Sequence, residues 1–352
     1  MNVIEQLAAQ SAIIKEKRIV AGYDGFVDTT VRPIVQSAAG TTPARLFETI
    51  SEFGEFLVSK AEKSCSIELQ VESCHLGGNL PFLSLGAGTL GLDVTCIGML
   101  GGGGTVEEPF KDLPCTLYPF APPGQSTCME FHDGKVMLAP SCTLKEDGWA
   151  LVMKATGGKA IELFRGCDLM ALVNWSELLF SQELWQRTYQ QVLEGTLCDK
   201  NRFAFFDLCD VSRKSKVEID NVLKLIQRFS RHRTAILSLN KNEAHTIAGC
   251  VLEGQNDLSE IAIALRERYA VDEILIHTVR QSLLVNDSGV FCSDTRFVDQ
   301  PRISAGAGDH FNAASCLGAV MGLGEKERLQ LANRVAGYYV SHGHSPTISQ
   351  LI

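Results

Sequence analysis

The residues with the clearest chemical potential lie in Ser304-Ala305-Gly306-Ala307-Gly308-Asp309-His310-Phe311-Asn312. Gly306-Ala307-Gly308 lets the backbone turn tightly and present consecutive N–H groups, and residues 311–321 behind it are apolar on nearly every side, as in a buried helix. A buried helix opening on such a turn is an anion site, because its first N–H groups lack intrahelical acceptors. Asp309 at its first turn either caps those groups or acts as a general base beside a bound phosphate. His310, next to it, begins the helix or faces a substrate, and its ordinary pKa makes its charge vary near neutral pH.

A second pair, Asn240-x-x-Glu243, has the spacing of a helix cap. Other patterns carry less. Gly101-Gly102-Gly103-Gly104 departs from GxGxxG and runs into Glu107-Glu108-Pro109, and no GxxxxGK[ST] loop or GxSxG elbow is present. His342-x-His344 reads as a solvated turn rather than a metal site.

These residues need a scaffold that brings them together. Residues 18–22, 94–97, 169–174, 203–207, 235–239 and 273–277 are short apolar runs of strand length, many of them followed by a polar turn and then helical periodicity. That alternation predicts an α/β fold, a mostly parallel central sheet covered by helices on both faces, with the ligand site beyond the carboxyl ends of its strands. Two regions break the rhythm. Residues 126–138 read as a hairpin turning at Asp133-Gly134, and 67–73 alternate like a half-exposed strand. With residues 29–34 they predict a small β lid. Between them, residues 44–63 place Leu46, Ile50, Phe53, Leu57 and Ala61 on one face of an inserted helix.

The chain has 352 residues, and 32 Lys+Arg against 41 Asp+Glu give a net charge of −9. That balance argues against nucleic acid or an anionic membrane as a general partner, since both need a basic face. Uncharged stretches fall short of a bilayer span, and residues 1–17 form a charged amphipathic helix rather than a signal peptide, so a cytoplasmic protein is expected. Twelve cysteines without CxxC or Cys/His zinc spacing fit a reducing compartment, with Cys96, Cys209 and Cys316 as small buried hydrophobes.

Gly306-Ala307-Gly308-Asp309 followed by Phe311-Asn312 resembles the GAGD-x-F signature of the ribokinase-like (PfkB) family of carbohydrate and nucleoside kinases. Gly77-Gly78 leading to Leu90-Gly91, Val94, Ile97-Gly98 and Gly101 resembles the first signature of that family, 240–244 its Asn-x-x-Glu motif, and Leu331-Ala332-Asn333 its C-terminal Ala-Asn helix. The likeness runs from about residue 19 to the end. It implies a three-layer α/β/α ribokinase-like domain over 1–352 that uses ATP and Mg²⁺ to phosphorylate a hydroxyl of a sugar or polyol. Carried over by position, Asp309 is the base and Gly306, Ala307 and Gly308 form the anion hole. Asn240, Glu243 and Asn333 serve the nucleotide, Glu243 organising the metal through water. Asp28 or Asp24, with Gly77 and Gly78, binds the sugar, and a lid of this kind can pair with a second copy to make a homodimer. Three positions depart from the pattern: Phe82 where many members carry a sugar-binding Asn, Ile303 where an Asp commonly precedes the turn, and a 278–282 loop without glycines in which Arg280 could reach a phosphate. They leave room for a nucleoside kinase, with Tyr23, Phe26 and Phe82 stacking on a base, or for a catalytically impaired ligand-binding homologue.

Overall fold

The computed structural model describes residues 3–38, 43–295 and 297–352. All six apolar runs form strands: β1 (Arg18–Tyr23), β5 (Asp93–Gly98), β9 (Leu169–Val173), β10 (Phe203–Asp207), β11 (Thr234–Asn240) and β12 (Glu273–His277). With β6 (Thr116–Pro119), β13 (Gln281–Asn286) and β14 (Gly289–Asp294) they make one sheet in the order β14-β13-β12-β11-β10-β9-β1-β5-β6. Neighbours from β6 to β12 are parallel, and the last two strands return antiparallel. The additional strands β6, β13 and β14 lie at the sheet margins. The strand β14 alternates between exposed and half-buried, so it lacks the continuous apolar run that marks β9, where every residue is buried.

Helices cover both faces. One apolar layer holds Phe164, Trp185, Phe206 and Phe229 under the helices of the central chain, and the other holds Leu80, Leu83, Phe311 and Leu317 under helices Asn79–Thr89, Ala307–Val320 and Glu325–His342. Helix Ala307–Val320 is buried at every residue from Asp309 to Val320, which is why its sequence carries no polar stripe.

A smaller sheet stands apart, in the order β3-β2-β7-β8 with β4 also paired to β2. Its strands are β2 (Phe26–Gln36), β3 (Arg45–Leu46), β4 (Leu69–Gly77), β7 (Gly124–Phe131) and β8 (Gly134–Leu138). They contain the segments 29–34, 67–73 and 126–138 apart from residues 67 and 68 and the turn at 132–133. The hairpin turn is one residue earlier than the Asp-Gly signal placed it. Phe131 pairs with Gly134, so His132-Asp133 is the loop, and the Asp133 carboxylate accepts from the Ile50 N–H at 2.8 Å. The inserted helix is also shorter than 44–63: it runs Ile50–Ser59, because Thr49 caps it and Arg45–Leu46 pair with the end of β2 instead. Its Phe53 packs with Phe47, Val31, Met129 and Phe131 on one face of the smaller sheet.

At the other end, helices Val3–Ala9 and Ser11–Ile14 replace a single N-terminal helix, Met1 and Asn2 lying outside the described residues. The twelve cysteines are free thiols, Cys96 and Cys316 fully buried. Cys209 is half-buried with φ 58, a turn residue after β10 rather than core. Among the described residues no helix is long and apolar enough to cross a membrane.

Candidate active site

The central strands end on polar residues at one edge of the sheet. Asp24 follows β1, Asn174 follows β9, Asp207 ends β10, Asn240 ends β11 and His277 ends β12. Helix Ala307–Val320 is seated over these ends. Asn312 donates to Asp207 at 2.7 Å and accepts from Ser238 at 2.7 Å, and His277 lies against Phe311 with ring centroids 4.9 Å apart.

Three consecutive residues, Gly77-Gly78-Asn79, meet three aspartates. A Cβ on Gly77 would fall 2.4 Å from the Asp28 carboxyl carbon, and one on Gly78 would fall 2.4 Å from Asp24 Oδ2. Gly78 also has φ +90, a conformation that glycine alone adopts cheaply. Asn79 Nδ2 donates to Asp309 Oδ1 at 3.0 Å. The glycine pair therefore lets two carboxylates reach the start of helix Asn79–Thr89, and that helix start touches a third.

The two acidic residues near β1 have different jobs. Asp24 is fully buried, and its oxygens accept from the Asn79 and Leu80 N–H groups and from Asn174 Nδ2, each at 2.8 Å. It caps a helix whose own Ncap, Gly78, has no side chain to do so. Burial raises its pKa to about 7 against the pull of these donors. Asp28, on β2, is half-buried and accepts from Ser126 on β7 at 2.5 Å.

Asp309 lies in the first turn of its helix, which begins at Gly306 with φ +81. Burial pushes its carboxyl well above the usual range, and the charges of Asp207, Asp24 and Glu243 add to this while the Asn79 bond opposes it. Phe82 covers the turn, its ring 2.6 Å from where a Gly306 Cβ would stand. His310 faces away. It is fully buried, stacked on Tyr339 at 3.6 Å, and its ring nitrogens meet Gly306 O and Ser345 Oγ. Burial lowers its pKa to about 4, so its charge does not vary near neutrality as the free residue would.

Asn240 and Glu243 form a reciprocal cap. Asn240 Oδ1 accepts from the Glu243 N–H at 3.0 Å and Glu243 Oε2 from the Asn240 N–H at 2.8 Å. Burial and the charge of Asp207 raise Glu243 to about 9. Beside them a cavity of about 700 Å³ is lined by Asn240, His277, Ala307, Gly308 and Asn333. Asn333 donates to the carbonyls of Ser293 and Asp294, which fixes it to β14. The loop without glycines closes as a tight turn in which Thr278 Oγ1 accepts from the Arg280 and Gln281 N–H groups, and the Arg280 guanidinium lies 4.6 Å over the Phe297 ring at the cavity wall. Ile303 is half-buried, one residue before the Ser304 that lines the cavity.

Among the described residues no three His, Cys, Asp or Glu side chains are grouped to hold a metal. The donor set suits a cation that keeps its waters, since Glu243 and Asp207 lie near enough for the charge of one to raise the other without forming a direct cage. Asn79, Asn174 and Asp207 carry no assigned role in the sequence motifs, and Asn312 is legible there only as part of the GAGD-x-F stretch. A signal for two of them was available: Asn174 and Asp207 each close an apolar strand with a polar residue, where a doubly wound sheet holds its ligand.

A family described as Prokaryotic ketohexokinase matches residues 2–352. The chain belongs to the prokaryotic ketohexokinase family. A ketohexokinase of Haloferax volcanii is 27% identical over 341 residues, which cover 95% of this chain and 89% of that protein. Among solved structures, Arabidopsis thaliana ribokinase complexed with ribose and ATP is 15% identical with TM-score 0.61, over 95% of this chain and 97% of that one. The adenosine kinase of Sinorhizobium meliloti is 15% identical with the same TM-score of 0.61, over 92% and 93% of the two chains. The fold is ribokinase-like, and this prokaryotic ketohexokinase family member is an ATP-dependent sugar kinase, a phosphotransferase with an alcohol group as acceptor. The aromatic trio that a nucleoside kinase would use is not available as a stack. Tyr23 is buried in the core and hydrogen-bonded to Thr188, Phe26 lies against Gly78 with its ring 3.1 Å from where a Cβ there would stand, and Phe82 covers the Gly306 turn.

Proposed function

We propose that the chain phosphorylates a hydroxyl of a ketohexose with MgATP, Asp309 acting as base. The observation that carries this reading is the position of Asp309 between two half-sites. Ala307 and Gly308 beside it line the 700 Å³ cavity, and Asn79 ties it to the glycine pair and Asp28. The nucleotide occupies the cavity, with Asn240 and Asn333 along its wall. Asp28 accepts from sugar hydroxyls, a role a carboxylate can fill for two neighbouring hydroxyls at once, while Asp24 holds the helix. Gly77 and Gly78 allow the sugar a close approach.

In the reaction Asp309 takes the acceptor hydroxyl proton as the oxygen forms its bond to the γ-phosphorus. The bond from that phosphorus to the bridging oxygen breaks, and ADP leaves with the electron pair. Backbone N–H groups at Gly306 and Gly308 receive the charge that spreads over the transferring oxygens, joined by that of Ala307 once it leaves the Ser304 carbonyl, to which it donates at 3.2 Å. A bound Mg²⁺ would supply countercharge to the phosphates, and Glu243 with Asp207 would hold it through water. The smaller sheet carries Asp28 and works as a lid that excludes water once the sugar is bound.

Release of ADP with MgATP over a panel of ketohexoses, aldohexoses, polyols and nucleosides tests the acceptor. Ketohexoses are expected to give the highest kcat/KM, and a preference for nucleosides would sink the reading.

Two further assignments accompany it. One face of the lid is covered by helix Ile50–Ser59, while Val71, Met137 and Leu138 remain more than half exposed on its strands. Such a surface suits a second copy of the chain, so a homodimer through the lid is expected. Sedimentation at high protein concentration should give twice the 38.4 kDa chain mass, and a monomer there would count against it. Free thiols support placement in a reducing cytoplasm, and the net charge of −9 argues against nucleic acid or an anionic membrane as partner.

A further inference from the structure

Asp309 lies among acidic and neutral side chains rather than beside a cationic one. The titratable groups facing it are Asp24 after β1, Asp207 at the end of β10, Glu243 from helix Lys241–Val251 and Tyr339 from helix Glu325–His342. His277 packs against its neighbour Gly308, and His310 follows it in the chain. Burial keeps both histidines neutral, each lowered to about 4, so neither offers it a positive charge. A base must nevertheless be ionised to accept a proton.

We propose that Asn79 is the positioning residue for Asp309, its amide N–H holding Oδ1 so that Oδ2 faces the acceptor hydroxyl. This rests on Asp309 being the base. The geometry carries it in three ways. The 3.0 Å bond runs from a neutral donor, which supports the charged form without neutralising it by proton transfer. The donor is fixed at its root, because the Asn79 N–H is itself bound by Asp24 Oδ2 at 2.8 Å. The two helices cannot drift apart locally: a Cβ at Gly86 would come within 3.0 Å of the Ala313 methyl and 3.2 Å of His310, so they pack in close contact just behind the bond. Asn79 thus acts on the base, where the family resemblance would put a sugar-binding Asn a helical turn later.

Asn79→Leu keeps the size and removes the donor. We expect kcat to fall about 10- to 10²-fold, the loss appropriate to one hydrogen bond to a charged group, with KM for the sugar changed less than about twofold. The acid limb of the kcat–pH profile should move up by about one unit, because the ionised base has lost its donor. Asn79→Ser, whose hydroxyl is too short to reach and which suits a helix start, should show the same limb shift and covers the case in which the Leu variant fails to fold. In an Asp309→Asn background, Asn79→Leu should add less than about twofold. An unmoved acid limb overturns the proposal, as does a raised KM with kcat preserved, which would make Asn79 a sugar contact. An undiminished cost in the Asp309→Asn background also overturns it. Failure of the base reading is a separate result, visible as near-normal turnover in Asp309→Asn alone.

Discussion

Asp309→Asn should lower turnover by about 10²–10⁴-fold, the usual contribution of a positioned general base, while nucleotide and sugar still bind. The amide fits the same space and can still accept from Asn79 through its oxygen, so the site keeps its shape. What is lost is the ability to take a proton. Stability should move the other way. The folded-state pKa of Asp309 is raised well above its usual value, so the stability linked to its protonated form is present below the ordinary carboxylate range and lost as pH rises through the folded value. At a pH above the folded value the ionised carboxylate, crowded by Asp207, Asp24 and Glu243, is a burden on the fold, and the neutral amide removes it. The thermal midpoint of the variant at that pH should therefore equal or exceed that of the parent. Turnover within about threefold of the parent, measured by ADP release, would remove Asp309 from the mechanism.

Gly306→Ala should be nearly as damaging, for a steric reason. Gly306 has φ +81, and the left-handed region costs a residue with a Cβ about 1–2 kcal/mol. The new methyl would also lie 2.6 Å from the Phe82 ring, and overpacking of this kind adds about 1–3 kcal/mol. The turn relaxes by moving, and its N–H groups lose their aim. We expect kcat to drop at least about 10²-fold, in the range seen when an oxyanion donor is lost, and the thermal midpoint to fall by several degrees. Adding Phe82→Ala separates the two causes. It should restore part of the midpoint by giving the methyl room, yet leave kcat low because the backbone strain remains. Full recovery of kcat in the double variant would show that the ring, and not the turn, sets the activity.

Much of this architecture could be read from the chain because each feature had a local cause. Strand β9 is five buried apolar residues in a row, and helix Ala307–Val320 has no polar face, so both announced their burial. The glycines at 306 and 78 were visible because only they adopt their conformations cheaply. What stayed hidden was contact between distant segments. Nothing local distinguishes Asp24, a buried cap for a helix that starts 55 residues later, from Asp28, which keeps a half-exposed carboxylate four residues along the chain. Asn79 likewise matched no motif. Its meaning comes from a partner 230 residues away. The inserted helix was drawn too long because its apolar period continued through Leu46, while β-pairing with β2 claimed Arg45–Leu46. His310 looked like a titrating residue until burial against Tyr339 took its charge away.

The span of those bonds bears on how the protein is made. Asp24 is joined to the Asn79 N–H across 55 residues and to Asn174 across 150, and Asn79 to Asp309 across 230. Contacts of such separation close late, since the loop entropy must be met before they reward it. A chain growing from its N-terminus can assemble β1, helix Asn79–Thr89 and β9 around Asp24 well before residue 309 exists. The acceptor half can thus be in place on the ribosome while the phosphate half is still unmade. A nascent chain of this design carries Asp24, Asp28 and the glycine pair well before the Gly306–Asp309 turn that completes the site.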